Sequence, residues 1–555
     1  MAKLTFFLLP FAFFHLSSSD GPSLNVVSFG ANGDGVTDST QAFLSAWESA
    51  CNMSIPAEIY VPMGNYLLNP VIFKGDCMGP HLTMTINGTL VGPTDYNLIA
   101  QAASWIEFHG VDGLSINGGL LDARGQYLWD CKANGGDCPF GGRSLSLGNS
   151  NNIVITNLTS INSQMFHVSI NECQNVTLLG LTIWADGESP NTDGIHIENS
   201  IGLNILHSPI QTGDDCISAG PGTQNLWIED VSCGPGHGIS IGSLGAEEDE
   251  EGVLNVTAKN VSFNGTQNGL RIKTWARPSN AFVQDVHFEG GVMYNVSNPI
   301  IIDQNYCPSR NCAYDQSLSL GNSNNVVITN LTSINSQMFH VSINECQNVT
   351  LLGLTIWADG DSPNTDGIHI ENSIGLNILH SPIQTGDDCI SAGPGTQNLW
   401  IEDVSCGPGH GISIGSLGAE EDEEGVRNVT AKNVSFNGTE NGLRIKTWAR
   451  PSNAFVQDVH FEGSVMYNVS NPIIIDQNYC PSRNCAYDQG IHGTTVSAIA
   501  MRFNCSSENP CTGLLLEDVQ LTGESQWPQS SCENAYGLAI GSVQPESCLQ
   551  LLINP

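Results

Sequence analysis

The sequence predicts an all-β fold: a single parallel β-helix, in which each rung adds one short strand to each of several parallel sheets. Three observations carry the prediction. Short segments of alternating Val, Ile and Leu recur at a spacing of roughly 22 to 30 residues. Long amphipathic helices are nearly absent, and one long stretch of chain occurs twice.

The recurring segments are NNIVITNLTSINS at 151, QNVTLLGLTIWAD at 174, IGLNILHSPIQTGDD at 201, QNLWIEDVSC at 224 and AFVQDVHFEGG at 281, each followed by Gly, Asn or Asp turn residues. Strands this close together leave no room for the crossover helices of a doubly wound sheet, and the hairpin turns of a sandwich are missing. A solenoid satisfies both the period and the alternation.

The duplication extends the solenoid. Ser144 to Gln316 recurs as Ser317 to Gln489 at an offset of 173 residues, with five differences: Ile153/Val326, Glu188/Asp361, Leu254/Arg427, Gln267/Glu440 and Gly291/Ser464. Near-identity of this order marks a very recent tandem duplication or a misjoining of exons or reads. After Gln316 the chain continues with SLSLGNSNNVVITNLTS, a credible next rung, whereas after Gln489 it jumps to GIHGTTVSAIAMRF. The organisation expected is a signal peptide over 1–19, a cap and first rungs over 20–143, copy 1 over 144–316, copy 2 over 317–489, and final rungs and tail over 490–555. A solenoid needs its open end covered. The segment DSTQAFLSAWESAC supplies a capping helix, with Asp38 or Ser39 as N-cap and an apolar face of Phe43, Ala46 and Trp47.

Composition bounds the function. At 555 residues and 40% hydrophobic content the chain can bury an ordinary core. Lys+Arg 17 against Asp+Glu 55 leaves a net charge of −38, which repels nucleic acid and anionic membranes, although a few cations focused in a cleft can still bind an anionic substrate. Lys3, the apolar run Leu4 to Leu16 and Ser17 to Ser19 follow the order of a secretory signal, and no later run is long enough to span a bilayer, so an exported, soluble protein is expected. Eighteen cysteines, many in close pairs such as Cys131/Cys138, Cys307/Cys312 and Cys505/Cys511, suit disulfides rather than zinc, for which the clustered CxxC spacing and companion histidines are lacking. Sequons at Asn87, Asn157, Asn175 and Asn255 fit a glycoprotein. The acidic runs Glu247–Glu251 and Glu420–Glu424 lack the alternating ligands and glycine of a calcium loop and read as solvated loops.

The chemistry lies in four motifs: Asn191-Thr-Asp193, Gly213-Asp214-Asp215, Gly236-His237-Gly238 and Arg271-Ile-Lys273. Taken alone these are a cap, a turn, a loop and an exposed strand. Their spacing sets them apart, because Asp193 to Asp215 and Asp215 to His237 are 22 residues each, one rung apiece. Groups one rung apart stack at about 4.8 Å on one face. Three acids and a histidine therefore collect on one surface, with two cations beyond them. Paired carboxylates about 6.5–9.5 Å apart suit an inverting glycosidase, since water must fit beside the anomeric carbon.

This set, together with DARG at Asp122–Gly125 and NPIIIDQNYC at Asn298–Cys307, resembles the plant polygalacturonases of glycoside hydrolase family 28 over nearly the whole mature chain. The resemblance implies a pectin-lyase-like right-handed β-helix and hydrolysis of α-1,4-galacturonosyl linkages in pectin or homogalacturonan, in the cell wall or apoplast, by a monomer needing no cofactor. It implies Asp214 as general acid, Asp193 and Asp215 as the carboxylates that activate water, and His237 as the group tuning the acid. It further implies Arg271 and Lys273 as ligands of uronate carboxylates, Tyr306 lining the site and Asn191 shaping the cleft. Three neighbouring carboxylates cannot all ionise readily, and the one with the raised pKa is expected to be the acid. The adjacency of Asp214 and Asp215 suggests an irregular corner pinned by a Cys216–Cys233 bridge. Copy 2 carries Asn364, Asp366, Asp387, Asp388, His410, Arg444, Lys446 and Tyr479 at the matching positions, about six rungs on. A rhamnogalacturonan hydrolase or a pectate lyase is the competing enzyme. A lyase uses a basic proton abstractor and often calcium, which the GDD and GHG pairing argues against. A non-catalytic wall protein is the competing class.

Overall fold

The computed structural model describes residues 21–275, 279–306, 323–336, 338–479, 499–522 and 527–551. Three parallel sheets run the length of a right-handed β-helix. The first has 16 strands, from Ser23–Asn25 to Val456–Glu462, and the second has 16, from Asp34–Asp38 to Val465–Tyr467. The third runs from Val71–Lys74 to Gln529–Glu533.

The alternation in the sequence becomes the wall of the solenoid. In the first sheet Val176, Leu203, Leu226 and Val256 fall in register and point inward, with 0–2% of their surface exposed. Each such side chain contributes about 1.5–3 kcal/mol on burial, so the column is a continuous core. Near the start of these strands Asn152, Asn175, Asn225 and Asn255 adopt left-handed backbone, which asparagine tolerates better than other side-chain-bearing residues. Their amides link neighbouring rungs, Asn175 Nδ2 donating to Asn152 Oδ1 at 2.7 Å and Asn255 Nδ2 to Asn225 Oδ1 at 2.7 Å.

The expected lid is helix α1, Thr40–Cys51. Phe43, Ala46 and Trp47 are buried; the Trp47 ring lies 5.1 Å from Phe73 and 5.4 Å from Phe108, and its Nε1 donates to the Lys74 carbonyl at 2.9 Å. Ser39 takes the N-cap position, but Asp38 supplies the capping carboxylate, accepting from Thr40 N at 2.9 Å. Two short helices, α2 (Tyr96–Ala102) and α3 (Gln126–Ala133), interrupt early rungs where the sequence signalled none.

The third sheet passes from one copy to the next without a break. In copy 1 Leu145 pairs with Val168; at the equivalent place in copy 2 Ile300, from the end of copy 1, pairs with Val341. The SLSLG segment at 317–321 expected as the next rung, both copy junctions, the signal segment 1–19 and Cys307/Cys312 lie outside the described residues. Disulfides join the close pairs Cys131–Cys138 and Cys505–Cys511 and, at the expected corner, Cys216–Cys233, and also Cys51–Cys77, Cys389–Cys406 and Cys532–Cys548. Among the described residues, no helix is long and apolar enough to cross a membrane.

Candidate active site

The 22-residue spacing places Asp193, Asp215 and His237 in one column. Each sits two residues ahead of a strand of the third sheet, and Ile195, Ile217 and Ile239, which open those strands, pair in register. The Asp214–Asp215 corner follows Gly213, at which a Cβ would meet the Ser189 carbonyl oxygen at 2.1 Å, so only glycine lets the chain turn there. Immediately after it the Cys216–Cys233 bridge ties this rung to the next.

Asp215 is the hub. Its Oδ1 accepts from Ser240 Oγ at 2.7 Å and Arg271 Nη2 at 2.9 Å, and its Oδ2 accepts from Lys273 Nζ at 3.2 Å. Arg271 Nε also donates to Ser240 Oγ at 3.1 Å. The two cations expected to face a substrate are thus engaged with a carboxylate of the protein itself.

Asp214 turns the other way. Its Oδ1 lies 2.7 Å from His237 Nδ1. Burial would raise its pKa, but that hydrogen bond, the His237 and Lys273 charges and the Asp215 N–H outweigh burial and hold it below the usual carboxylate value. The raised carboxylate is Asp193. Burial, with Asp215 and Asp214 adding repulsion, pushes it up to about 6 against the pull of His196. The expectation that the raised group would be Asp214 is corrected on this point: each acid faces a histidine, but Asp214 also has the Lys273 charge and the Asp215 N–H, whereas Asp193 is nearly enclosed and repelled by the other two carboxylates.

His196 is the residue the motifs did not announce. Its Nδ1 lies 3.3 Å from Asp193 Oδ2, its Nε2 3.1 Å from Glu198 Oε1, and its ring stacks on Phe166 at 4.1 Å. Burial opposes its charge, but the hydrogen bonds to Asp193 and Glu198 lift it to about 9. The signal was present in the period of two along Ile195–Glu198, which puts His196 and Glu198 on the outer face shared with Ser240 and Arg271.

Copy 2 repeats the arrangement. Asp388 accepts from Ser413 at 2.6 Å, Arg444 at 2.7 Å and Lys446 at 3.0 Å; His410 Nδ1 lies 2.8 Å from Asp387 and His369 Nδ1 3.1 Å from Asp366. Asp366 is raised by burial and Asp387 lowered, as in copy 1. The Tyr479 ring has Lys446 Nζ 5.3 Å from its centroid and Trp448 5.9 Å away. One of the five differences between the copies falls in the site. Glu440, which replaces Gln267, brings Oε2 to 3.3 Å from His410 Nε2. The Asp387 and Glu440 hydrogen bonds then raise His410 to about 9.

Asn191 and Asn364 stand in left-handed backbone ahead of the acids, and neither amide reaches an acid by hydrogen bond among the described residues. Tyr306 ends the strand Asn298–Tyr306 opposite Trp275, and its side chain lies outside the description. Asp214, Asp215 and His237 bring one ligand atom each within 4.8 Å of the others, as do Asp387, Asp388 and His410. In each set the central carboxylate already holds two side-chain cations, which a metal ion would have to displace.

Comparison with known proteins supplies the family. The family described as Glycosyl hydrolases family 28 matches residues 51–317 and again 313–548. A polygalacturonase of Prunus persica is 58% identical over 285 residues, covering 51% of this chain and 72% of that protein. An exopolygalacturonase of Platanus acerifolia is 41% identical over 299 residues, covering 53% of this chain and 78% of its own. Among solved structures, the endo-xylogalacturonan hydrolase of Aspergillus tubingensis superposes with a TM-score of 0.53 at 22% identity, covering 65% of this chain and 95% of its own, which is a likeness of fold. Two successive family matches, on a β-helix that carries the acid–histidine–cation set twice, establish that this chain is a glycoside hydrolase belonging to family 28.

Proposed function

We propose that the chain is a secreted polygalacturonase that hydrolyses α-1,4-galacturonosyl linkages of pectin with inversion, one carboxyl group protonating the leaving oxygen while another takes a proton from the attacking water, and so modifies the cell wall. The observation that supports this most directly is the cluster of three carboxylates beside two cations, Arg271 and Lys273, on one outward face. The carboxyl groups supply the acid and base that glycosidic cleavage needs, and the cations supply recognition of a uronate.

In this reading Asp214 protonates the leaving glycosidic oxygen, while Asp193 and Asp215 deprotonate the attacking water. The resting pKa order does not load Asp214, and substrate corrects it. A galacturonate carboxylate that recruits Arg271 and Lys273 draws them away from Asp215, and the loss of the Lys273 charge also relaxes Asp214 upward. The three carboxylates then share their protons as a unit, with macroscopic rather than private pKa values. Binding and loading of the acid are thereby coupled.

The domain reading goes with it: residues 20–143 cap and begin the solenoid, 144–316 and 317–489 each form a catalytic segment, and 490–555 close it. The test is release of reducing ends from polygalacturonic acid by the intact chain beside Asp214→Asn, Asp387→Asn and the double variant. Loss in the double variant and partial loss in each single one is expected. A folded wild-type chain that releases nothing refutes the reading.

A further inference from the structure

The third sheet carries one outward column along which the two sites differ. At the first site the register runs Ser240, Arg271, Ile301, Ser342. At the second it runs Ser413, Arg444, Ile474, Arg502. The fourth position is the end of a duplicated pattern, because Arg502 comes from the unique C-terminal strand Ile499–Asn504 and Ser342 from the start of copy 2.

We propose that Arg502 forms an additional carboxylate-binding subsite of the second site, taking a uronate of the same galacturonan chain beyond Arg444, and that the first site lacks this subsite because Ser342 stands in its place. The ligand class rests on the galacturonan reading above; the subsite itself rests on geometry.

Arg502 points outward. Its neighbours Met501 and Phe503 are 0% and 3% exposed and face the interior, so the residue between them faces the other way. Ile473 and Ile475 pack on the same interior cluster, which turns Ile474 outward beneath Arg502. Two rungs separate Arg502 from Arg444, about 9.6 Å at the ordinary strand spacing, on the order of a disaccharide. Ile474 between them offers a partly exposed apolar floor for a sugar face.

Its charge is also uncommitted. Arg271 and Arg444 each hold an aspartate, at 2.9 and 2.7 Å, whereas Arg502 pairs with no carboxylate among the described residues. The carboxylate of Asp476, one rung below, accepts instead from Asn478 N and Asn504 Nδ2. In a chain with 17 cations against 55 acids, an arginine without an acid is available to an external anion. Its planar guanidinium matches a carboxylate with two parallel N–H donors, which an ester does not reproduce.

The test uses the full chain with both acids disabled, Asp214→Asn/Asp387→Asn, so that binding is read without turnover. Calorimetric titration with octagalacturonate is expected to show two classes of site. Arg502→Gln weakens the tighter class about tenfold, the equivalent of about 1.4 kcal/mol, while trigalacturonate and methyl-esterified octamer change less than twofold. Ser342→Arg tightens the weaker class toward the stronger. Circular dichroism melting confirms that the variants fold, and Arg502→Lys retains part of the affinity. Octamer affinity unchanged by Arg502→Gln, equal losses for trimer and octamer, or no octamer binding by the parent each overturn the subsite. A wild-type chain that fails to hydrolyse, but whose inactive form answers to Arg502, overturns the hydrolase reading and leaves the subsite standing. Hydrolysis with octamer binding indifferent to Arg502 does the reverse.

Discussion

Replacing Glu440 by Gln converts the second site's surroundings into those of the first, and the structure gives the size of the effect. His410 Nδ1 lies 2.8 Å from Asp387 and Nε2 3.3 Å from Glu440, so its charged form is held from both sides against the opposing charge of Arg444. The histidine is 34% exposed and Glu440 61% exposed, which places the pair among solvent-screened ion pairs worth about 0.2–1 kcal/mol. At about 1.36 kcal/mol per pKa unit, removing the Glu440 charge lowers the His410 pKa by roughly 0.2–0.7 units from its value of about 9.

The assay is the pH profile of kcat/KM in the Asp214→Asn background, where only the second site turns over, with and without Glu440→Gln. The imidazolium holds Asp387 in place, so the alkaline limb moves to lower pH by that same amount. Titration of the labelled imidazole by NMR reads the shift without relying on turnover. The sign for stability follows from the raised value: the contribution of the charged histidine is complete below about 6.5 and is lost as pH rises through about 9. Glu440→Gln therefore costs stability near neutrality and nothing above pH 10. An alkaline limb and an imidazole titration that stay put, or move upward, refute the reasoning.

Three further outcomes follow from other contacts. His196→Gln removes the charged partner that opposes the raised pKa of Asp193, so Asp193 climbs above about 6 and the acid limb of the first site, measured in the Asp387→Asn background, moves up by about one unit. His167 is fully buried beside Ser160 and its pKa is pushed down to about 3, so the unfolded chain takes up a proton that the folded chain refuses; stability falls by a few kcal/mol from pH 6.5 toward pH 3, and His167→Asn flattens that slope in acid melts. Cys216→Ser with Cys233→Ser opens a 17-residue loop and costs about 3 kcal/mol, read as a lower denaturant midpoint together with reduced kcat at the first site, since Asp215 adjoins the bridge.

Much of this was legible because a solenoid converts sequence spacing directly into spatial stacking. The 22-residue intervals from Asp193 to Asp215 and from Asp215 to His237 needed no knowledge of long-range contacts; one rung later the chain is back over itself. The core was legible for the same reason, Val176 and Leu203 marking the interior by alternation alone. What escaped were features that spacing does not encode. Both Asp193 and Asp214 receive a histidine, so their pKa order depends on which acid is enclosed beside other carboxylates and which lies near Lys273, and that is settled by side-chain direction at an irregular corner. Helices α2 and α3 are seven and eight residues long and bury only Ile99 and Leu128, too little apolar surface to leave a periodic trace.

The five differences between the copies are unequal in consequence. Ile153 and Val326 are both fully buried, and the lost methyl group costs about 1 kcal/mol. Arg427 adds an exposed hydrogen bond to Gln397 at 2.7 Å, far from any acid of the site, and Glu188 and Asp361 each stand on an exposed turn. Ser464 replaces Gly291, at which a Cβ would meet the Val261 carbonyl oxygen at 2.8 Å, so that exchange asks for a local adjustment of the sheet. Only Glu440 reaches a group of the acid–histidine cluster, and only the second site has Arg502 two rungs further along its column. The two differences work in opposite directions on a polyanionic substrate. Glu440 adds a negative charge at the histidine while Arg502 adds a positive one beyond the arginine, so the potential along the second cleft is graded where the first is flatter. A graded cleft favours one placement of a charged chain over its neighbours. The two copies, nearly identical in sequence, are thus two sites of unequal preference along one face, about 29 Å apart over the six strand steps from Ile195–Glu198 to Ile368–Glu371.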